Sequence, residues 1–233
     1  MITLKRKKIL LIAALAIVFT AGVCFYGSNT ATVSGEVRGN PYYEGEKGHN
    51  AVAFGMNVDW GTEYIPAILD IFKEEDVKIT FFLTGRWCQE NPEVAKTIYQ
   101  SGMEIGNHGL KHKSPAGMTY EENMADIEAA ENIINDALGI KTMLFAPAAG
   151  EIESQVLNAA ADLGYKTILW SVDTIDWQKP TPEVITQRVV DKAEDGSIVL
   201  MHPTENTLKA LPSMIEALKE KGLNIVTVSQ LLK

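Results

Sequence analysis

The chain has 233 residues, of which 46% are hydrophobic and 22% are charged, a balance that is typical of a globular domain and excludes a disordered or fibrous chain. Its 21 basic and 30 acidic residues give a net charge of −9. All four charges in the first 26 residues are basic, so the remaining 17 basic and 30 acidic residues give the body a net charge of −13. An acidic body argues against a nucleic-acid partner, which requires a basic surface.

The N-terminus has the layout of a membrane signal. Residues 9–26 carry no charge and directly follow the basic run 5–8, an order typical of an export signal. Eighteen residues also reach the lower limit for a helix that spans a bilayer. The basic run predicts a cytoplasmic N-terminus and an exported body. We therefore expect residues 1–26 to be an uncleaved anchor, a cleaved signal peptide or a lipoprotein signal, and the protein to be membrane-anchored with an extracytoplasmic domain, or secreted.

Residues 27–49 are rich in Gly, Ser, Thr and Tyr and are predicted to form a linker. From residue 50 onward, short apolar runs alternate with segments of helical periodicity. The predicted strands are 51–57, 78–83, 103–106, 142–145, 166–170, 197–201 and 223–227. The predicted helices are 64–75, 92–101, 119–137, 152–163, 182–193 and 207–220. This alternation predicts an α/β fold, a seven-stranded, distorted TIM-like barrel over residues 50–233.

Local signals add two constraints. Thr119 followed by Glu122 predicts a capping box at the start of one helix. Cys24 lies in the apolar segment, which leaves Cys88 as the single cysteine of the body. Because one cysteine makes neither an internal disulfide nor a cysteine-ligated zinc site, any metal must be held by histidines and carboxylates.

Three histidines and three aspartates follow predicted strand ends, where (β/α) barrels carry their chemistry. They are His108, His112 and His202, and Asp59, Asp173 and Asp176. The i, i+4 spacing of His108 and His112 allows both to bind one metal if the loop begins a helical turn. The alternatives are solvated loop histidines, a structural histidine at position 202, and aspartates that cap the next helix.

Taken together, these residues indicate amide hydrolysis. Asp59, His108 and His112 form a His₂-carboxylate set with open coordination positions, which is typical of a catalytic zinc site. His202 could protonate a leaving amine, with a carboxylate nearby to raise its basicity.

The sequence resembles the polysaccharide deacetylases, the carbohydrate esterases that remove N-acetyl groups from chitin and peptidoglycan, and is most similar to their membrane-tethered, sporulation-type branch. The resemblance covers about residues 50–233. The similar segments are 57–61 with 65–72, 78–87, 104–112, 173–177 and 200–202. Five motifs in the same order are very improbable by chance.

We expect a monomer, as the default for a tethered protein. The resemblance implies one divalent metal, zinc first with cobalt or nickel as alternatives, and an N-acetylated glycan substrate. It assigns roles to eight positions: Asp59, His108 and His112 as metal ligands, His202 as general acid with Asp176 supporting it, Trp60 and Trp177 along the groove, and the backbone N–H of Ala149 at the oxyanion. The last role needs no particular side chain.

Two departures from the family pattern concern the general base. The aspartate expected there is replaced by Asn57, or by Val58 if the motif is counted without a gap, and neither residue accepts a proton at neutral pH. The arginine expected to pair with that aspartate is replaced by Ala146. Three alternatives follow: slow hydrolysis by metal-bound hydroxide, a substitute base such as Glu151, or a non-catalytic glycan-binding relative in envelope or spore assembly.

Overall fold

The computed structural model describes residues 37–233. Their central element is a curved, fully parallel sheet in the order β5-β4-β3-β2-β1-β7-β6, with β8 paired to the beginning of β1. The strands are β1 Ala51–Val58, β2 Thr80–Leu83, β3 Glu104–Asn107, β4 Leu144–Phe145, β5 Lys166–Thr167, β6 Val172–Asp173, β7 Ile198–Met201 and β8 Asn224–Val226. The predicted α/β barrel is confirmed. The described residues contain eight strands, one more than predicted. The additional strand is β6, whose two residues are too few to produce a periodic pattern.

The helices surround this sheet. They are α1 Ile65–Glu74, α2 Gly85–Glu90, α3 Pro92–Gln100, α4 Tyr120–Leu138, α5 Ser154–Asp162, α6 Pro182–Lys192, α7 Glu205–Glu220 and α8 Val228–Leu231. The sequence analysis missed the short α2 and α8. The predicted capping box is confirmed, since Thr119 and Glu122 each bond the other's backbone N–H at the start of α4.

The strand β1 is buried on both faces. One face packs against the helices through Val52, Phe54, Met56 and Val58. The other face carries Ala51 and Ala53 into a smaller cluster with residues from β2, β4 and β7, which is the barrel interior. Alternate residues of a strand point to opposite faces. Asn57 therefore shares the interior face with Ala51 and Ala53, whereas Val58 faces the helices.

The described part of the predicted linker, residues 37–49, packs against the barrel. The backbone N–H of Tyr42 donates to the Thr167 carbonyl at 2.9 Å, and the N–H of Gly45 donates to the Gly196 carbonyl at 2.8 Å. These bonds place the segment between β5 and β7. Residues 37–49 are thus part of the compact unit that extends to the C-terminus, whereas the sequence analysis assigned them to a linker.

Residues 1–36, which contain the predicted signal or anchor and Cys24, lie outside the described residues. Within 37–233, no helix combines the length and the apolar character needed to cross a bilayer. Cys88 is a free, fully buried thiol, and burial raises its pKa to about 11.

Candidate active site

A buried carboxylate holds His202 in place at the end of β7. Asp176 accepts hydrogen bonds from the backbone N–H and the Nδ1 of His202 and from the hydroxyl of Thr207, each at 2.7 Å. The Asp176 side chain is fully buried and that of His202 is 12% exposed. Because a carboxylate only accepts, Nδ1 of His202 is the donor, and Nε2 is the nitrogen left for other partners. The imidazole therefore has a fixed orientation and tautomer.

A groove with two exposed indole rings lies beside this pair. Trp60 stacks on His202, with ring centroids 5.3 Å apart and planes 23° apart. Trp60 is 46% exposed and Trp177 is 55% exposed, although large apolar side chains usually lose most of their exposure on folding. Both rings line a cavity of about 460 Å³ that reaches Asp176. Both predicted groove residues thus lie at the His202 site.

His108 and His112 lie close together after β3. The His108 ring is buried, and its Nδ1 lies 2.6 Å from the Ala146 carbonyl oxygen. A carbonyl only accepts, so Nδ1 carries the proton and Nε2 has the free lone pair. The His112 ring stands edge-on to it with centroids 4.9 Å apart. A carbonyl that fixes the far nitrogen in this way is typical of a histidine that binds a metal.

The His108 imidazole is held in its neutral form. Burial is the main cause that lowers its pKa to about 3, with the bond to Ala146 opposing it and the neighbouring His112 and His202 adding to it. The neutral imidazole is the form that binds a metal. The two histidines lie close together as expected, and their role as metal ligands stays a prediction.

Asp59 does not join them. One guanidinium nitrogen of Arg86, Nη2, lies 2.8 Å from each carboxylate oxygen of Asp59, and the Thr84 hydroxyl donates to Oδ1 at 2.9 Å. Among residues 37–233, no group of three or more His, Cys, Asp or Glu side chains is placed to hold a metal ion. The arrangement does not fit the predicted three-ligand centre, because the expected carboxylate ligand is paired with an arginine.

Asn57 and Val58, the two candidates for the base position, face opposite sides of β1. Val58 packs outward in the core, whereas Asn57 is 6% exposed and lines a small internal cavity together with Ala146 and Trp170. The orientation of β1 therefore favours Asn57 over Val58 for the predicted base position, beside Ala146, where the family resemblance expects an arginine. Neither side chain has an acid–base function at neutral pH.

Comparison with known proteins identifies the family. The profile of the family described as polysaccharide deacetylase matches residues 45–168, slightly more than half of the chain. The chain belongs to the polysaccharide deacetylase family. A peptidoglycan-N-acetylglucosamine deacetylase of Bacillus cereus is 34% identical over 85% of this chain and 96% of its own length. A Bacillus subtilis relative described as the uncharacterized protein YlxY is 39% identical over 82% of this chain, and the match spans 60% of that relative's length.

Among solved structures, a CE4 family pseudoenzyme from Bacillus anthracis is 42% identical, with a TM-score of 0.82 over 83% of this chain and 69% of that chain. A mutant of the same pseudoenzyme, described as having restored enzymatic activity, is 40% identical over 83% of this chain and 71% of that chain, also with a TM-score of 0.82. The chain thus has the same barrel fold as a pseudoenzyme and as a mutant of it with restored activity.

The remaining predicted residues have local roles. Asp173 accepts the Ile175 N–H at 2.7 Å, so it shapes the turn before Asp176 and does not cap a helix. Glu151, considered as a substitute base, accepts hydrogen bonds from the Ser114 hydroxyl and the Ala116 N–H and thereby joins two loops.

Ala149 is exposed in the turn 148–150 and has a left-handed backbone, with φ 54°. Such a turn is compatible with presenting a backbone N–H to a ligand. The sequence analysis missed Arg86, although it lies inside a segment that matches a family motif. The available signal was a basic residue three positions after the buried strand β2, which pairs with the strand that precedes Asp59.

Proposed function

We propose that this chain is a hydrolase that removes N-acetyl groups from a cell-wall polysaccharide, either peptidoglycan or a chitin-like N-acetylglucosamine glycan. The observation that carries the proposal is the buried Asp176 carboxylate that orients His202 beside a groove with two exposed tryptophans. The choice of substrate is supported by the peptidoglycan deacetylase of Bacillus cereus, because the match covers 96% of that relative's length.

In this function, the sugar ring packs on Trp60 and Trp177, which places the acetamido group near His202. Water adds to the amide carbon, the C–N bond breaks, and the products are acetate and the free amine of the sugar. An amine leaves poorly without a proton, and a protonated His202 held by Asp176 supplies it. The backbone N–H of Ala149 is proposed to stabilise the negative oxygen of the tetrahedral intermediate.

A divalent metal is part of the proposal on the basis of the family. Zinc is the first choice, with cobalt and nickel as alternatives, because two imidazoles suit these ions. His108 and His112, whose rings lie close together, are its proposed ligands, whereas the Asp59 carboxylate is bound to Arg86.

A second function is favoured by a specific observation. Asn57 and Ala146 together remove the base and its arginine partner, and loss of a general base typically costs about 10²–10⁴ in rate. The second candidate is therefore a non-catalytic glycan-binding protein in envelope or spore assembly. The Bacillus anthracis relative, described as a pseudoenzyme, supports this alternative.

The proposal extends to location. The basic run 5–8 and the apolar segment 9–26 support attachment to the membrane, or export, with residues 37–233 on the outer side. We propose a monomer there, in keeping with a tethered enzyme that acts on an insoluble polymer.

Acetate release from peptidoglycan and from chitin oligomers, with and without zinc, tests the proposed function. Native protein should release acetate, and His202→Ala should not. The exposed His49 provides a matched control, since His49→Ala removes a histidine outside the groove and should leave the rate unchanged. If native protein releases no acetate but binds the glycan, and Trp177→Ala weakens that binding, the second candidate is correct.

A further inference from the structure

We infer that Arg86 competes with divalent cations for the Asp59 carboxylate and supplies the positive charge that a metal would otherwise bring to this position. The inference concerns cation binding and holds whether or not the chain turns over substrate. The family resemblance implies that Asp59 binds a metal, whereas in the structure the Asp59 carboxylate is paired with Arg86.

The guanidinium lies where a cation would lie. Arg86 Nη2 is 2.8 Å from both Oδ1 and Oδ2 of Asp59 and 3.4 Å from the backbone oxygen of the same residue. A donor equidistant from both carboxylate oxygens lies in the plane that bisects them, and a cation bound through both oxygens lies in the same plane on the same side of the carboxylate. The same carboxylate cannot offer this position to two cations at once.

The fold builds this position. The backbone N–H of Arg86 donates to the Leu110 carbonyl at 2.8 Å. Thr84 caps α2 by accepting the Trp87 N–H and also donates its hydroxyl to Asp59. Between them, Gly85 allows a close approach, because a Cβ there would lie 2.8 Å from the Cα of Ala130. Arg86 is therefore directed at Asp59 by the backbone around it.

Among the described residues, one nitrogen of the Arg86 guanidinium lacks a hydrogen-bond partner, which makes the pairing of Arg86 with Asp59 reversible. The Nε of Arg86 is buried and has no hydrogen-bond partner within residues 37–233, and an unsatisfied buried donor is costly. The side chain is nevertheless 41% exposed, compared with 14% for Asp59. If a metal neutralised Asp59, the guanidinium could turn into solvent, where Nε regains a partner.

Calorimetric titration of the full-length chain with zinc tests the inference. Arg86→Gln removes the competing charge and should bind zinc about 10–100-fold more tightly than native protein, the range typical of changes just outside a metal's ligands. Lys113→Gln is the matched control, since Lys113 lies beside the histidine pair and its removal deletes the same charge without freeing Asp59. It should stay within about threefold of native protein.

Asp59→Asn gives an independent reading if Arg86→Gln fails to fold. In the native background it should change zinc affinity by less than about threefold, because Asp59 is already occupied. In the Arg86→Gln background it should abolish the gain. A loss of about 100-fold on Asp59→Asn alone, or equal affinities of native protein and Arg86→Gln, would overturn the inference. Acetate release is not part of this readout, so failure of the proposed function is distinguishable.

Discussion

The substitution Asp176→Asn tests the most tightly bonded part of the site. The Asp176 carboxylate is fully buried and accepts three hydrogen bonds of 2.7 Å, two from His202 and one from Thr207. Hydrogen bonds to a charged group contribute about 1 kcal/mol more than neutral ones, so three contacts lose about 3 kcal/mol. The relief of burying a charge offsets part of this loss. We expect the free energy of unfolding to fall by about 2 kcal/mol.

The same substitution should also change the tautomer of His202. The amide group of asparagine offers one acceptor and one donor, so a nitrogen facing His202 Nδ1 would force the proton to Nε2. An imidazole in that form is not held as a general acid, and activity should fall by about 10²–10⁴. Urea unfolding, together with ¹⁵N NMR of the histidine ring, measures both effects.

Thr207→Val serves as the matched control for this prediction. It removes one hydrogen bond to Asp176 but leaves both bonds to His202, so it should cost about 1 kcal/mol of stability and leave the tautomer and the activity almost unchanged. A free energy of unfolding for Asp176→Asn within about 0.5 kcal/mol of the native value, with Nδ1 still protonated, would refute the reasoning.

Three further predictions concern stability. Burial keeps the pKa of His108 at about 3 in the folded chain, below about 6.5 in the unfolded chain. The unfolded chain therefore gains a proton first as the pH falls below about 6.5, and the free energy of unfolding should drop by about 2 kcal/mol near pH 5. In urea unfolding with a chelator present, His108→Asn should make the free energy of unfolding depend less on pH. A chain that lacks residues 1–49 should have a lower melting temperature than one that lacks only 1–36, because residues 37–49 bond β5 and Gly196, shortly before β7. Equal melting temperatures of the two truncated chains would contradict this. Thr119→Ala should cost about 1 kcal/mol, since it breaks the capping box with Glu122, and an unchanged urea midpoint would argue against that role.

The sequence predicted the parts of the fold that depend on local pattern. The long strand β1, the helix α4 with its capping box and the histidine pair after β3 all follow from periodicity, end signals and spacing. The two-residue strand β6 carries too few residues for a pattern. Residues 37–49 are held by backbone hydrogen bonds and by contacts to Asn158, Asp162 and Glu194, and partners so distant in sequence leave no local pattern.

In the candidate site, too, some features were predicted from the sequence and others required the three-dimensional structure. The pairing of Asp176 with His202 was implied by the family resemblance, and the structure brings them together because both follow strands that lie side by side. The choice between Asn57 and Val58 required the strand's orientation, which the motif count left open. The pairing of Asp59 with Arg86 joins residues 27 positions apart through three-dimensional contact, and a ligand pattern alone does not predict a competing partner.

The central claim is that this barrel retains the acid half of a deacetylase site, His202 with Asp176, and lacks the base half. The measurement that tests it most directly is the rate of acetate release from an N-acetylglucosamine oligomer by native protein, Asn57→Asp, Ala146→Arg and the double variant, with folding verified by thermal unfolding. Because a base and its orienting partner act as a unit, the double variant should exceed native protein and both single variants by at least about tenfold, and His202→Ala should abolish the gain. A folded double variant that binds zinc but releases no acetate would contradict the account.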